Sequence, residues 1–101
     1  MQVQTILTET TFEARLSDRL SFSDNSAFRK LLDQAVASKR GHLVLNVAGL
    51  TSIDSAGLGM FIVAADTAKK AGLSFTLRGP SGHILKLIEL SKLDKLIHVE
   101  F

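Results

Sequence analysis

Residues 53–61 are Ile53-Asp54-Ser55-Ala56-Gly57-Leu58-Gly59-Met60-Phe61, and they join a predicted strand to a predicted helix. The apolar run at residues 43–47 is typical of a buried strand, and apolar residues recur at helical spacing from 58 to 71. Asp54 and Ser55 therefore fall at the start of a helix. Their side chains can accept hydrogen bonds from the unpaired N–H groups of a first turn, so helix capping is one interpretation of both residues.

Two glycines close to this helix start, Gly57 and Gly59, are not explained by capping. Glycine costs about 1 kcal/mol relative to alanine inside a helix. The pair therefore indicates that another backbone, or a ligand, approaches this surface closely. Together with Leu58 and Met60, the glycines predict a flat, partly apolar surface for a partner.

The rest of the chain alternates strands with helices in the order β-β-α-β-α-β-α-β. Strands are predicted at residues 2–8, 11–16, 42–47, 74–78 and 96–99, with a hairpin turn at 9–10 and helices that begin near Asp24, Ser55 and Ser81. Such alternation predicts an α/β fold with amphipathic helices and a mixed, mainly parallel sheet, in which residues 42–47 form the central strand. The opening hairpin supplies one antiparallel strand.

Several boundaries are predicted from local chemistry. Residues 18–22 are expected to form a loop whose Leu20 and Phe22 pack inward, and residues 48–53 a second loop. Ser23 or Asp24 is a candidate N-cap of the first helix, and Gly41 suits the position after its end. Pro80 is expected near the first turn of the third helix. The first helix carries an apolar stripe at Phe28, Leu31, Leu32, Ala35 and Val36.

Composition limits the class of protein. With 101 residues, of which 46% are hydrophobic and 22% charged, the chain is expected to form one globular domain over 1–101. There is no cysteine, which excludes a disulfide scaffold and a thiolate metal site. Because the start lacks a signal peptide and the longest apolar run is shorter than the roughly 20 residues of a membrane helix, we expect a soluble cytoplasmic protein.

The sequence contains no self-contained active site. His42, His83 and His98 match no zinc spacing, and Ser55 lacks the flanking pattern of a hydrolase nucleophile. Gly57-x-Gly59 lacks the third glycine of a dinucleotide fingerprint, because position 62 is Ile. The charge of +2 is spread over separate basic pairs, which does not favour direct nucleic-acid binding. We therefore expect no enzyme, no metal and no cofactor.

The remaining interpretation is that Ser55 is acted upon. A serine hydroxyl at a helix N-terminus can accept a phosphoryl group, which free N–H groups and the helix dipole then favour. Asp54 beside it opposes that favourable field with its own charge. A phosphorylatable Ser55 next to the partly apolar surface predicted above indicates a docking site that phosphorylation can switch.

Asp54-Ser55-Ala56-Gly57-Leu58-Gly59 after an apolar strand resembles the Asp-Ser-Ser-Gly-Leu-Gly signature of STAS-domain proteins, the bacterial anti-sigma factor antagonists. The resemblance implies that Ser55 is phosphorylated by a serine kinase, or anti-sigma factor, of the histidine-kinase-like ATPase type. A PP2C-type phosphatase would reverse the modification, and only the unphosphorylated form would bind the partner. The implied partner-binding residues are Asp54, Ala56, Gly57, Leu58, Gly59, Met60, Ser21 and Phe22.

Two departures from the family pattern concern this site. Ala56 replaces a second serine, which leaves Ser55 as the only acceptor in the motif, and Asp18-Arg19-Leu20-Ser21 replaces the common Gly-x-Leu-Asp loop. Two alternatives therefore stay open. One is a STAS module that binds a nucleotide or a lipid-like ligand. The other is a scaffold subunit of a transporter or signalling complex. For the phosphorylation-switched regulator we expect no direct contact to nucleic acid and none to a membrane.

Overall fold

Five strands form one sheet in the order in which they occur in the chain, in a computed structural model that describes residues 1–101. The strands are β1 (Gln2–Leu7), β2 (Thr11–Leu20), β3 (His42–Ile53), β4 (Ser74–Arg78) and β5 (His98–Glu100), and the helices are α1 (Asn25–Ala37), α2 (Ser55–Ala71) and α3 (Gly82–Leu90). Only β1 is antiparallel to its neighbour. The predicted mixed, mainly parallel sheet with β3 at its centre is confirmed.

Alternation along the strands separates an apolar face of the sheet from a polar one. Each parallel crossover leads to the next strand in the same direction, so right-handed connections place all three helices on one face. The core lies between those helices and the sheet, as a single cluster of 22 buried residues. Its strand residues include Ala14, Leu45 and Leu77, which are paired across β2, β3 and β4. No helix has the length and hydropathy needed to span a bilayer.

The second and third strands are longer than the sequence predicted. Residues 18–20 and 48–53 were expected in loops, but they extend β2 and β3, and Leu20 pairs with Ile53. The pairing passes through register shifts between Arg15 and Ser17 and between Asp18 and Arg19. Asp18 there has a φ of 66°, in the left-handed region. Such bulges interrupt the period of two, which is why the alternation did not reveal these extensions.

Several predicted element ends are also wrong. Gly41 does not follow the end of α1, because the helix stops at Ala37 and Lys39 takes the left-handed conformation with a φ of 57°. Pro80 lies before the N-cap Ser81 of α3, outside the first turn. The last strand begins at His98, since a 3₁₀ turn over Leu93–Lys95 comes first. The end of α2 at Ala71–Gly72 is as predicted, with Gly72 left-handed.

The seating of α2 depends on Gly57. A Cβ at this position would lie 2.8 Å from the backbone oxygen of Leu20 and 3.2 Å from the Cβ of Ile53. A backbone oxygen held in a sheet cannot move aside cheaply, so the close approach expected from the sequence is confirmed here, and the approaching group is another backbone. A Cβ at Gly59 would meet nothing within 4 Å, so no close approach explains that glycine.

We predict that Gly57→Ala destabilises the fold and that Gly59→Ala, a matched control two residues on, stabilises it. Overpacking at 57 costs about 1–3 kcal/mol, which exceeds the helix-propensity gain of at most about 1 kcal/mol. At 59 only that gain applies. Thermal unfolding measures both, at about 4–8 °C per kcal/mol. Equal melting temperatures for the two variants would contradict the described contact.

Candidate functional site

Ser55 is the first residue of α2, and its side chain is exposed to solvent without a protein hydrogen bond. The residue before it, Asp54, is the N-cap: its backbone is extended and its Oδ1 accepts a hydrogen bond from the Gly57 N–H at 2.8 Å. Capping is therefore confirmed for Asp54. Because Ser55 does not cap, its hydroxyl is free for chemistry.

The second oxygen of the Asp54 carboxylate binds a different segment. Oδ2 accepts a hydrogen bond from the backbone N–H of Phe22 at 3.1 Å, and the Asp54 N–H donates to the Leu20 carbonyl at 3.3 Å. One side chain thus joins the start of α2 to the turn that follows β2. These segments are 32 residues apart in sequence.

The hydrogen bond from the Gly57 N–H is the largest of the effects that hold the pKa of Asp54 below its ordinary value. Partial burial opposes it, while the N–H groups of Phe22 and Ala56 and the nearby charge of Arg19 lower the pKa further. The carboxylate is consequently ionised at neutral pH. Arg19 was not among the predicted site residues, and only its place two residues before Ser21 in the sequence indicates a role at this site.

The turn at Phe22–Asp24 holds the Phe22 side chain outward. Asp24 Oδ2 accepts a hydrogen bond from the Ser21 N–H at 2.9 Å, and the two hydroxyl oxygens of Ser21 and Ser23 are 2.9 Å apart. Asp24 is the N-cap of α1, one of the two predicted candidates, but its side chain serves this turn instead of the helix. Phe22 is 73% exposed, whereas Leu20 is fully buried, so the prediction that both pack inward holds only for Leu20.

The structure divides the predicted partner-binding residues into two groups. Phe22 and Ser55 are exposed, and five others are partly accessible around them: Ser21, Asp54, Ala56, Leu58 and Gly59. Gly57 and Met60 are buried, which corrects their assignment to the surface. Helical spacing explains the correction, because position 60 lies on the face of α2 that packs against the sheet. Gly57 and Met60 therefore pack below the exposed residues of the site.

One serine–histidine contact lies at the opposite end of the parallel strands. His42 Nδ1 contacts Ser74 Oγ, where β3 and β4 begin, and both residues are exposed. This pair was not predicted, since the two residues are 32 positions apart in the sequence. Neither residue lines a cavity, and no carboxylate contacts the histidine. No group of three histidine or acidic side chains is placed to hold a metal ion.

We predict that Asp54→Ala lowers the melting temperature more than Asp54→Asn, since asparagine can still cap the helix. Because the pKa of Asp54 is lowered on folding, the stability from its charge is complete above the ordinary pKa of 3.8. That stability is lost as the pH falls below this value through the folded-state pKa. The gap between wild type and Asp54→Asn should therefore close in acid, as measured by thermal unfolding. A gap independent of pH would contradict the assigned role of the carboxylate.

Comparison with known proteins adds to this geometry. The family model described as "Mlab, STAS domain" matches residues 6–98. None of the curated proteins matches the chain in sequence.

Solved structures share the fold at low sequence identity. A proposed anti-sigma factor antagonist of Thermotoga maritima superposes with a TM-score of 0.87 at 17% identity, over 98% of this chain and 86% of that one. The Bacillus cell fate determinant SpoIIAA, in its phosphorylated form, gives 0.74 at 20% identity over 97% and 90%. A sulfate transporter family protein of Wolinella succinogenes gives 0.77 at 14% identity over 94% and 80%.

These identities show the fold alone, whereas the family model covers nearly all of the described chain, including the whole candidate site. The candidate site and its Asp54-Ser55-Ala56-Gly57-Leu58-Gly59 motif lie within the matched residues. The chain belongs to the STAS domain family.

Proposed function

We propose that this chain is a phosphorylation-switched, protein-binding regulator of the anti-sigma factor antagonist type, with Ser55 as the phosphoacceptor. The observation that carries the proposal is the free, exposed hydroxyl of Ser55 at the first residue of α2. The likeness in fold to SpoIIAA, which is solved in both unphosphorylated and phosphorylated forms, supports it.

The unphosphorylated surface suits a protein partner. Phe22 offers an exposed aromatic side chain beside Ser55, and the partly buried Leu58 continues the apolar area along α2. Aromatic side chains in the centre of an interface commonly contribute much of its binding energy. The partner therefore would cover Phe22 and Ser55 together, with the neutral hydroxyl inside the contact.

A phosphate at Ser55 changes that surface by about −1.5 to −2 charges. It would stand beside the ionised Asp54, which already accepts the hydrogen bond of the Gly57 N–H, so this N–H is not free to bind the phosphate. Its interaction with the helix dipole is worth only about 0.3–1 kcal/mol at an exposed site. Mispaired charge within an interface costs about 2–5 kcal/mol, which weakens binding by tens- to thousands-fold.

In this proposal the chemistry belongs to the partners. A serine kinase of the histidine-kinase-like ATPase type, which can also be the anti-sigma factor, supplies the nucleotide, the Mg²⁺ and the catalytic base. A PP2C-type phosphatase restores the hydroxyl. The chain itself acts as substrate and ligand, without a cofactor and without contact to nucleic acid or membrane.

A second candidate function is that of a docking subunit in a transporter assembly. The likeness in fold to the Wolinella succinogenes sulfate transporter family protein favours it. The same surface around Phe22 would then bind constitutively. The two candidates differ in whether the charge state of Ser55 changes affinity.

We predict that Ser55→Ala binds the kinase partner like unphosphorylated wild type, whereas Ser55→Asp binds at least tenfold more weakly, with melting temperatures close to wild type. Ser26→Asp is the matched control, since it puts the same charge on an exposed residue in the first turn of α1. Calorimetric affinities and thermal unfolding test this. Equal affinities for all forms would favour the docking-subunit function, and a collapsed melting temperature in Ser55→Asp alone would make Ser55 structural.

We also predict that Phe22→Ala weakens partner binding by about tenfold or more, while the free energy of unfolding changes little. Leu96→Ala is the control, because Leu96 is equally exposed, at 73%, but lies before the start of β5 at the opposite end of the sheet. Equal losses for the two variants would place the interface elsewhere.

A further inference from the structure

The face of the sheet that no helix covers contains the largest hollow of the molecule. It has a volume of about 410 Å³ and lies where β1, β2 and β3 run side by side. None of the residues assigned to the Ser55 surface lines it. Its volume falls within the range of small-molecule sites in proteins, about 300–1,000 Å³.

The irregular pairing of β2 with β3 shapes this hollow. The register shifts between Arg15 and Ser17, and a bulge increases the local twist of the sheet. On β3 the floor is made by small residues, Ala48 and Gly49. A Cβ at Gly49 would lie 3.1 Å from the backbone oxygen of Leu16, so this position leaves little room for a larger side chain.

Two side chains at the hollow, Glu13 beside it and Asn46 in its lining, already accept hydrogen bonds. Glu13 Oε2 accepts hydrogen bonds from Arg15 Nε at 3.1 Å and from Asn46 Nδ2 at 3.2 Å, and Oε1 accepts one from Arg78 at 3.4 Å. The Asn46 oxygen accepts the Ala48 N–H at 3.1 Å. Partial burial raises the pKa of Glu13, but these hydrogen bonds and both arginine charges outweigh it and lower the pKa.

Other polar groups of the lining residues have no protein hydrogen bond. Arg15 is the only charged residue that lines it, and its two terminal nitrogens make no protein hydrogen bond. The side chains of Gln2, Gln4 and Ser17 line the same hollow without a protein partner. Glu13 meanwhile fixes Arg15 through Nε. The hollow therefore combines one arginine, bound to Glu13 through Nε, with free amide and hydroxyl groups that can donate, an arrangement that can bind an oxyanion.

We propose that this hollow is a binding site for a small oxyanion, a carboxylate or a phosphate group, held by Arg15 with Gln2, Gln4 and Ser17 as further donors. The terminal nitrogens of Arg15 present the paired geometry that such groups accept. This site is separate from the Ser55 surface, and it does not depend on the function proposed there.

The test is a chemical-shift titration of the whole chain with inorganic phosphate, at an ionic strength held constant with sodium chloride. We expect saturable shifts at the backbone amides of residues 15–17 and 46–49. Arg15→Gln should weaken the binding roughly 10- to 100-fold, because a charged hydrogen-bonding partner is lost. Arg29→Gln, at an exposed arginine of α1, is the control and should leave it unchanged.

Separate titrations with acetate and methyl phosphate distinguish a carboxylate ligand from a phosphate ester. Gln4→Ala keeps the Arg15 charge and should weaken binding severalfold, which gives a second reading if Arg15→Gln lowers the melting temperature. Saturable shifts that disappear in Arg15→Gln and persist in Arg29→Gln support the site. Shifts that never saturate, or that both arginine variants reduce equally, would overturn it.

Discussion

The parallel pairing of β2 with β3 continues to Leu20 and Ile53, and this last pair determines how α2 can begin. The Leu20 side chain is fully buried, while its carbonyl oxygen accepts the Asp54 N–H. The same oxygen lies so close to position 57 that only glycine fits there without a shift. The first turn of α2 is therefore pressed onto the end of β2. The glycine at position 57 is therefore required by the packing of α2 on the sheet and needs no partner to explain it.

Asp54 converts this contact into a site. Its two carboxylate oxygens bind the N–H groups of Gly57 and Phe22, so that the helix start and the turn after β2 form one surface. Ser55, next to Asp54 in the chain, and Phe22, whose N–H is bound to Asp54, are both exposed. Since the hydroxyl of Ser55 supports no other part of the fold, its charge can change without a large loss of stability. This separation of stability from recognition is what a switch requires.

Much of the fold was predictable, because the spacing of apolar residues along a helix or strand indicates which of its faces is buried. Apolar spacing and capping residues predicted where the three helices begin, near Asp24, Ser55 and Ser81. The alternation of strands and helices predicted that β3 is the central strand. The ends of β2 and β3 did not follow, because bulges and the left-handed Asp18 break the alternation. At the end of α1, Lys39 adopts the conformation for which Gly41 was the better candidate. The left-handed residue is Lys39 because α1 ends at Ala37, and the sequence did not reveal that end.

The site was predictable in its motif and less so in its geometry. The sequence placed Asp54 and Ser55 at a helix start. The hydrogen bond that the Phe22 N–H donates to Asp54 joins two segments that only the sheet brings together, so the sequence did not reveal it. Met60 was assigned to the surface from its place in the motif, although helical spacing turns it into the core. Phe22 was expected to pack inward as an apolar residue. The turn stabilised by Asp24 directs it outward instead.

Asp54 holds the Phe22 turn and the start of α2 together as one surface. Native-state hydrogen exchange measures this directly at the backbone amides of Phe22 and Gly57. We expect both amides to be protected in the wild type and to lose protection in Asp54→Ala, while amides in β3 keep theirs. A Phe22 amide that exchanges at the same rate in wild type and variant would contradict it.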